Sequence, residues 1–297
     1  MKQEKTIIPV IIDKSGKLEY EFEGFLRKTL NAVLVNVLGL LPKKHASKLF
    51  SKTSKDGDTV KQNATTHRAL EVIYSFNGKM NKDNGTVNGI FTHTWQHLLN
   101  SKALRNRLKL VKEQLRQAVF AFSDKKEIKI LSLGAGSARA IIETLASLKE
   151  SNIKFQAMLL DKNEDAFIYG KELAKEYGIN KGLIWINGSV FDAEKYCEQK
   201  NFYPDIVEMV GFMDYLDEDR SVKLFDRIYA LLNKKGIFIG CNIRYNRESK
   251  FLTKVLGWPM IYKDEHYLRK IVNKSQFNDS KIIYEPLKVH GFVVCRK

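Results

Sequence analysis

Residues 130–140 read ILSLGAGSARA. Two short apolar steps run into glycines at 134 and 136, and small residues then lead into IIETLASL, where the apolar spacing turns helical. A strand that ends in a tight glycine turn and restarts as a helix is where open α/β sheets hold nucleotide-like ligands. Gly134 and Gly136 remove side chains so that backbone can approach a ligand, and the helix N–H groups just beyond can meet an anion. A dinucleotide fingerprint needs a third glycine three residues after the second, and Arg139 stands there. The turn therefore points to a ligand other than NAD.

Outward from this turn, the chain from residue 127 alternates apolar strands with amphipathic helices. EIKILSLG, KFQAMLLD, GLIWINGS, PDIVEMVG and GIFIGCNI are separated by ARAIIETLASLKE, DAFIYGKELAKEYG, DAEKYCEQK and DRSVKLFDRIYALLN. Continuous apolar strands between such helices imply a parallel sheet covered on both faces. The runs KIIYEPLK and HGFVVCRK can pair antiparallel at its edge. The expected fold is α/β: a doubly wound, mostly parallel seven-stranded sheet with an antiparallel C-terminal hairpin over residues 125–297, and an N-terminal mainly helical cap over residues 1–124.

In the cap, TIIPVIID and KLEYEFE are joined by KSG, and Leu18, Tyr20 and Phe22 alternate with glutamates, which predicts an initial β-hairpin. The lysine-rich KKHASKLFSKTSKDGDTVK is the best candidate for a mobile or binding segment, and NKDNGTVNG is a second polar loop. One or two helices follow, with Leu104, Leu108, Val111, Leu115 and Val119 on one stripe. The run TLNAVLVNVLGLL, residues 29–41, is shorter than the roughly 20 residues of a membrane-spanning helix. Leu30, Val33, Leu34, Val37 and Leu41 fall at helical spacing, which suits a core or inter-domain helix. Flanking Arg27, Lys28, Lys43 and Lys44 suit an interfacial helix against anionic lipid instead.

With 297 residues, 44% of them hydrophobic, the chain can bury a substantial core. Cys197, Cys241 and Cys295 are widely spaced without a CxxC pair, which argues against a disulfide scaffold or zinc site and predicts a reducing, cytoplasmic setting. The N-terminus does not read as a signal peptide. Net charge is +16, and residues 1–124 carry +10 of it. Such a field attracts nucleic acid, acidic membrane or an anionic small substrate, or simply solvates the surface.

Four positions fall at successive carboxyl ends of the expected strands. After the glycine turn comes Asp161, which can accept both hydroxyls of a ribose or act in the cap of the following helix. NGSVFD, residues 187–192, offers an amide near Val190, the Phe191 ring and polar Ser189 or Asp192 to an adenine edge; as a plain turn it would use Asp192 as a cap. In EMVGFMDYL, Gly211, Phe212 and Tyr215 would line a reaction pocket.

Taken in order, ILSLGAGSARA, LLDKNEDA, NGSVFD, PDIVEMVGFMDYL, LLNKKGIFIG and the closing hairpin resemble the motifs of class I, Rossmann-type S-adenosylmethionine-dependent methyltransferases over roughly residues 105–297. The stretch from EMVGFMDYL through FLTKVLGWPMIYKDEHYLRKIV is also similar to a bacterial methyltransferase group. The resemblance implies S-adenosyl-L-methionine as cofactor, with Gly134 and Gly136 beside its methionyl part and Asp161 on the ribose hydroxyls. It puts Ser189, Val190 and Phe191 about the adenine, and Val210 and Gly211 beside the sulfonium. The sequence departs from the family pattern at Ser132, where an acid is frequent, at Ala138, where a third glycine is frequent, and at Ser189, where an Asp is frequent; Asp192 is expected to share the adenine contact.

His93, His97, Asp214, Tyr215, Tyr245 and His266 are the candidate bases or substrate contacts, and none forms a pair of diagnostic spacing. His93 and His97 lack the Glu of HExxH and a third ligand, so no metal is expected. The leading expectation is a methyltransferase whose basic N-terminal part closes over a small-molecule or lipid-like acceptor. An RNA methyltransferase, and a non-catalytic membrane- or partner-binding module, are the alternatives.

Overall fold

The computed structural model describes residues 7–76, 87–151 and 153–297; the polar run NKDNGTVNG lies largely outside them. The strands are β1 (Val10–Ile12), β2 (Ile128–Leu133), β3 (Phe155–Asp161), β4 (Leu183–Asn187), β5 (Ile206–Val210), β6 (Ile237–Ile243), β7 (Asp279–Tyr284) and β8 (His290–Arg296). The cap holds helices α1 (Phe25–Leu40), α2 (Lys43–Thr53), α3 (Lys55–Gln62), α4 (His67–Tyr74) and α5 (Val87–Gln96), followed by α6 (Leu99–Phe120). Between and after the strands come α7 (Arg139–Ser147), α8 (Glu164–Glu176), α9 (Ala193–Gln199), α10 (Glu218–Leu231), α11 (Ser249–Lys254) and α12 (Glu265–Lys274).

All eight strands form one sheet in the order β1-β7-β8-β6-β5-β2-β3-β4. Strands β2 to β6 run parallel, and β8 lies antiparallel to both β6 and β7. Alternate residues of each strand serve opposite cores. Ile128, Ile130, Ala157 and Leu159 pack with α6, α7 and α8, while Leu131, Leu133, Met158 and Leu160 share the other core with α9, α10 and α12. This is a doubly wound α/β arrangement. A third core joins the cap helices to Phe251–Trp258 through Phe50, Trp95, Leu98 and Phe251.

Among the described residues the sheet has eight strands rather than seven, and the initial β-hairpin does not form. Strand β1 pairs parallel with β7 in the register Val10↔Ile282, and no strand follows it before α1. The polar side chains of α6 explain why. Asn106 accepts from the Glu21 amide (2.8 Å) and donates to its carbonyl (2.8 Å), Lys102 donates to the Phe22 carbonyl (2.8 Å), and Lys109 to that of Glu19 (2.6 Å). With these backbone groups satisfied by a helix, residues 19–23 have no need of a strand partner. The Leu18-Tyr20-Phe22 alternation is only half used: Tyr20 is buried, with its phenol on Asp13 (3.0 Å), while Phe22 is exposed.

Helix α1 splits the expected stripe: Leu34 and Leu41 pack against the cap core, while Leu30, Val33 and Val37 do not. Asn31, Val35 and Leu38 face inward, whereas Leu26, Leu30, Val33, Val37 and Leu40 form a stripe open to solvent. Asn31 is buried because its amide donates to the His97 carbonyl (3.0 Å) and to Glu23 (3.2 Å). Among the described residues, no helix is long and apolar enough to cross a membrane.

α6 carries the junction between cap and sheet. Its first-turn amides are capped from far along the chain: Glu248 accepts from the amides of Leu99 (2.8 Å) and Asn100 (2.9 Å) and from the Asn100 side chain (2.8 Å). Replacing Glu248 by Ala orphans these buried donors, and urea unfolding should show a loss of about 2–3 kcal/mol.

Candidate functional site

The parallel register brings the ends of β2, β3, β4 and β5 to one rim, and the four loops beyond them border a single cavity of about 620 Å³. Gly134, Gly136, Asp161, Ser189, Val190, Phe191, Val210 and Gly211 all line it. Asp192, by contrast, is exposed and not part of the lining. Of the candidate bases, Asp214 and Tyr215 reach the cavity. His93 and His97 meet each other instead (Nε2 to Nε2, 3.1 Å) against the Phe76 ring, Tyr245 packs edge-on to Tyr262, and His266 is exposed on α12.

The glycine turn is held by backbone. The amides of Gly134 and Ala135 donate to the Leu160 carbonyl (2.9 and 3.1 Å), and the amide of Gly136 donates to Asp161 Oδ2 (2.8 Å). Asp161 Oδ1 accepts from the Asn163 amide (2.8 Å), so each carboxylate oxygen is oriented yet keeps a lone pair for a ligand. The N-cap of α8 is Asn163, which accepts from the Ala166 amide (3.3 Å), leaving Asp161 free of that task. Gly134 and Gly136 have φ of +70° and +52°, and a Cβ at Gly134 would stand 3.3 Å from Phe212. Ala138 adopts φ +54°, the left-handed region that glycine occupies at low cost, at the position where the family pattern frequently has one.

Arg139, which broke the dinucleotide pattern, clamps the cap onto this turn. Glu71 of α4 accepts from Arg139 Nε (2.7 Å) and Nη2, from the Ser137 hydroxyl (2.6 Å) and from the Tyr169 phenol (3.1 Å). The α4 side chain of His67 thereby sits above Gly136 and joins the lining.

Ser132 stands where the family pattern frequently has an acid, and the neighbouring strand brings one to the same place. Ser132 on β2 is in register with Glu208 on β5, and its hydroxyl meets Glu208 Oε2 at 2.5 Å. Burial pushes the Glu208 carboxyl up to about 7, against the lowering influence of Ser132, the Val210 amide and Arg107. Burial likewise raises Asp214, whose Oδ1 accepts from the Ile243 amide (2.8 Å), and raises the Tyr215 phenol, which accepts from Trp258 Nε1 (2.9 Å). Buried Lys263 is brought down to about 8 and braces the same turn, donating to the Met213 carbonyl (2.8 Å) and Asn242 Oδ1 (2.9 Å). Phe191 and Phe212 meet edge-on at 6.0 Å and wall the side of the cavity next to Gly134.

Residues 44–257 match the protein family described as "Putative methyltransferase". The chain belongs to this methyltransferase family. A "possible exported protein" from Bordetella parapertussis shares the fold at TM-score 0.59 and 12% identity, over 82% of this chain and 86% of that one. A "putative O-methyltransferase" from Nostoc punctiforme aligns at TM-score 0.48 and 15% identity, over 66% of this chain and 61% of that one. Human N-acetylserotonin methyltransferase in complex with SAM aligns at TM-score 0.45 and 11% identity, over 77% and 65%. No curated protein matches the chain in sequence.

Sequence reasoning passed over Glu71, Arg107, Glu208 and His290. Glu208 carries a legible signal, since it is the only charge inside the apolar strand IVEMV; Arg107 looks like any other cation of a basic helix. An acid held protonated in the fold but ionised in the unfolded chain favours folding at low pH, and that contribution is lost as pH rises through 7. In urea unfolding, the protein should lose roughly 2–3 kcal/mol relative to Glu208→Gln between pH 5 and pH 8.

Proposed function

We propose that the protein transfers a methyl group from S-adenosyl-L-methionine to a small, apolar, lipid-like acceptor. The observation that carries this reading is the convergence of four rim loops on one cavity of about 620 Å³, within the range of small-molecule sites. Residues 125–297, with β1 and α6 packed on them, form the cofactor-binding body, and the helices between close over the acceptor. The three free cysteines are all buried, which supports a cytoplasmic setting without depending on it.

The lining suits this cofactor. Gly134 and Gly136 leave room for its methionyl part, Asp161 offers a lone pair on each oxygen to the ribose hydroxyls, and Ser189, Val190 and Phe191 face the adenine with Phe212 beside them. Asp192 would reach the adenine only through a rearrangement of its exposed turn. Val210 and Gly211 border the place of the sulfonium. The cofactor supplies an electrophilic methyl group; the chain has to align the acceptor and exclude water, and positioning of that kind is worth on the order of 7–11 kcal/mol.

Besides the rim loops, the cavity is lined by Leu70, Trp95, Phe251, Leu256, Trp258 and Met260, the apolar chamber of this reading. An apolar lining of this kind supports the small, lipid-like acceptor over RNA. Titration calorimetry with S-adenosylhomocysteine should give binding that weakens at least tenfold in Asp161→Ala, because a charged hydrogen-bonding group is worth about 1.5–3 kcal/mol. Unchanged affinity would remove Asp161 from the site.

The outward stripe of α1 supports delivery of such an acceptor from a membrane surface. Leu26, Leu30, Val33, Val37 and Leu40 are exposed, and Arg27, Lys28, Lys43 and Lys44 lie at the ends of the helix. Apolar groups flanked by cations suit an anionic bilayer face. On the inner side of α1, Phe50, Trp95, Leu98 and Phe251 border both a small apolar pocket under the helix and the chamber itself. The protein should float with phosphatidylcholine vesicles that contain phosphatidylglycerol, and the Leu30→Glu, Val33→Glu, Val37→Glu triple variant should stay behind. A dimer in sedimentation that the triple variant breaks, without flotation, would make the stripe a self-association face instead.

A further inference from the structure

Besides His67 above Gly136, whose Nδ1 has no partner among the described residues, the cavity lining holds two buried side chains, Arg107 and His290, with hydrogen-bonding capacity left open. Arg107 of α6 is only 4% exposed. Its Nη2 donates to the Tyr74 phenol (2.5 Å), while its Nε has no partner among the described residues. Its Nη1 lies over Gly211, 3.6 Å from where a Cβ would stand. His290, at the start of β8, is 1% exposed, and neither ring nitrogen has a partner among the described residues. Both residues line the cavity that holds the four rim loops.

Buried donors without partners are costly, and a group of them facing a cavity marks where a ligand supplies acceptors. The nearby carboxylates are already engaged, Glu208 with Ser132 and Asp214 with the Ile243 amide. Burial and the Arg107 charge hold the His290 imidazole well below its usual pKa, so it is neutral and offers one N–H. Arg107 stands close enough to His290 for its charge to act on the imidazole, and a guanidinium with an imidazole N–H near it matches a carboxylate. The surrounding Leu70, Ile73, Leu104, Leu256 and Trp258 match an apolar body attached to it. Charge balance points the same way: a sulfonium beside Gly211 would stand close to the Arg107 cation, and an anion between the two relieves their repulsion. The +16 net charge also draws acids rather than bases toward the protein.

We propose that the methyl acceptor is an apolar carboxylic acid whose carboxylate is received by Arg107 and His290, an inference that rests on the methyltransferase reading above. Such an acceptor needs no general base. Its ionised oxygen forms the new O–CH3 bond as the S–CH3 bond breaks, the electron pair of that bond stays on sulfur, and no proton has to leave.

The test uses the full chain, with decanoate and decanol as probes and with the fluorescence of Trp95 and Trp258, both in the chamber wall, as the readout. Decanoate should bind at least tenfold more tightly than decanol. Arg107→Gln should remove that preference, Arg107→Lys should keep part of it, and His290→Phe should weaken decanoate alone. Affinity for S-adenosylhomocysteine should stay within twofold in all three variants. With labelled S-adenosylmethionine, decanoate should yield an organic-extractable methyl ester. Equal binding of decanoate and decanol by the unmodified protein overturns the proposal without any variant having to fold. Loss of S-adenosylhomocysteine affinity in Arg107→Gln with decanoate unaffected also overturns it, by assigning the arginine to the cofactor's own carboxylate. Failure of the unmodified protein to bind S-adenosylhomocysteine would sink the methyltransferase reading, whereas the decanoate preference is measured without that ligand.

Discussion

The pairing of β2 between β3 and β5 is the constraint on which the site depends. Parallel register places Leu133 beside Leu160 and Ser132 beside Glu208, so the glycine turn, Asp161 and the Val210-Gly211 step leave the sheet at one level. Two backbone amides of the turn then fall on the Leu160 carbonyl, and a third falls on Asp161. A slip of one residue in β3 would turn Met158 and Leu160 out of one core and into the other, so burial on both faces fixes the register and with it the site. The geometry for the ligand is thus set by the hydrophobic core before any polar contact is made.

Polar contacts then couple the cap to that rim at a few buried points. Glu71 ties α4 to Ser137 and Arg139, and Glu248 closes the start of α6 from the other half of the chain. Removing one partner from a buried charged pair costs more than the pair itself contributes, because the charge left behind has no water to turn to. Such contacts specify one arrangement of cap over sheet, whereas the apolar contacts beneath them would tolerate several. Arg139 illustrates the difference. Read as sequence it is a missing glycine, and in the fold it is the anchor of the helix that roofs the turn.

The parallel part of the sheet was legible because its strands are mostly apolar runs, and the four rim loops were legible because they follow those runs directly. Eight of the nine residues read as cofactor contacts do line one cavity. The parts that escaped share a physical cause: their partners are distant in sequence. Residues 19–23 alternate like a strand, yet the donors and acceptors that satisfy their backbone lie on α6, eighty or more residues away. The apolar spacing of α1 identified a helix but could not say which side faces water, because Asn31 turns inward through the Glu23 side chain and the distant His97 carbonyl. Glu208 complements Ser132 across two strands, a pairing visible only once β2 and β5 are neighbours.

Helix α6 shows why a division of the chain near residue 124 describes the sequence better than the space. Leu110, Val111, Leu115 and Val119 belong to the core under the sheet, and Asn106, Lys102 and Lys109 hold the segment that follows β1. The same helix presents Leu104, Arg107 and Leu108 to the cavity, and its first turn takes its cap from Glu248. One rigid element therefore touches the core, the chamber and the C-terminal half at once. A group carried by α6 keeps its place relative to the rim loops, because moving it would disturb the sheet core, whereas groups on α1 to α4 rest on the separate cap core and its few polar ties. Recognition at the point of chemistry is best served by the first kind of position, and access to the chamber by the second; Arg107 and the exposed stripe of α1 fall on opposite sides of that division.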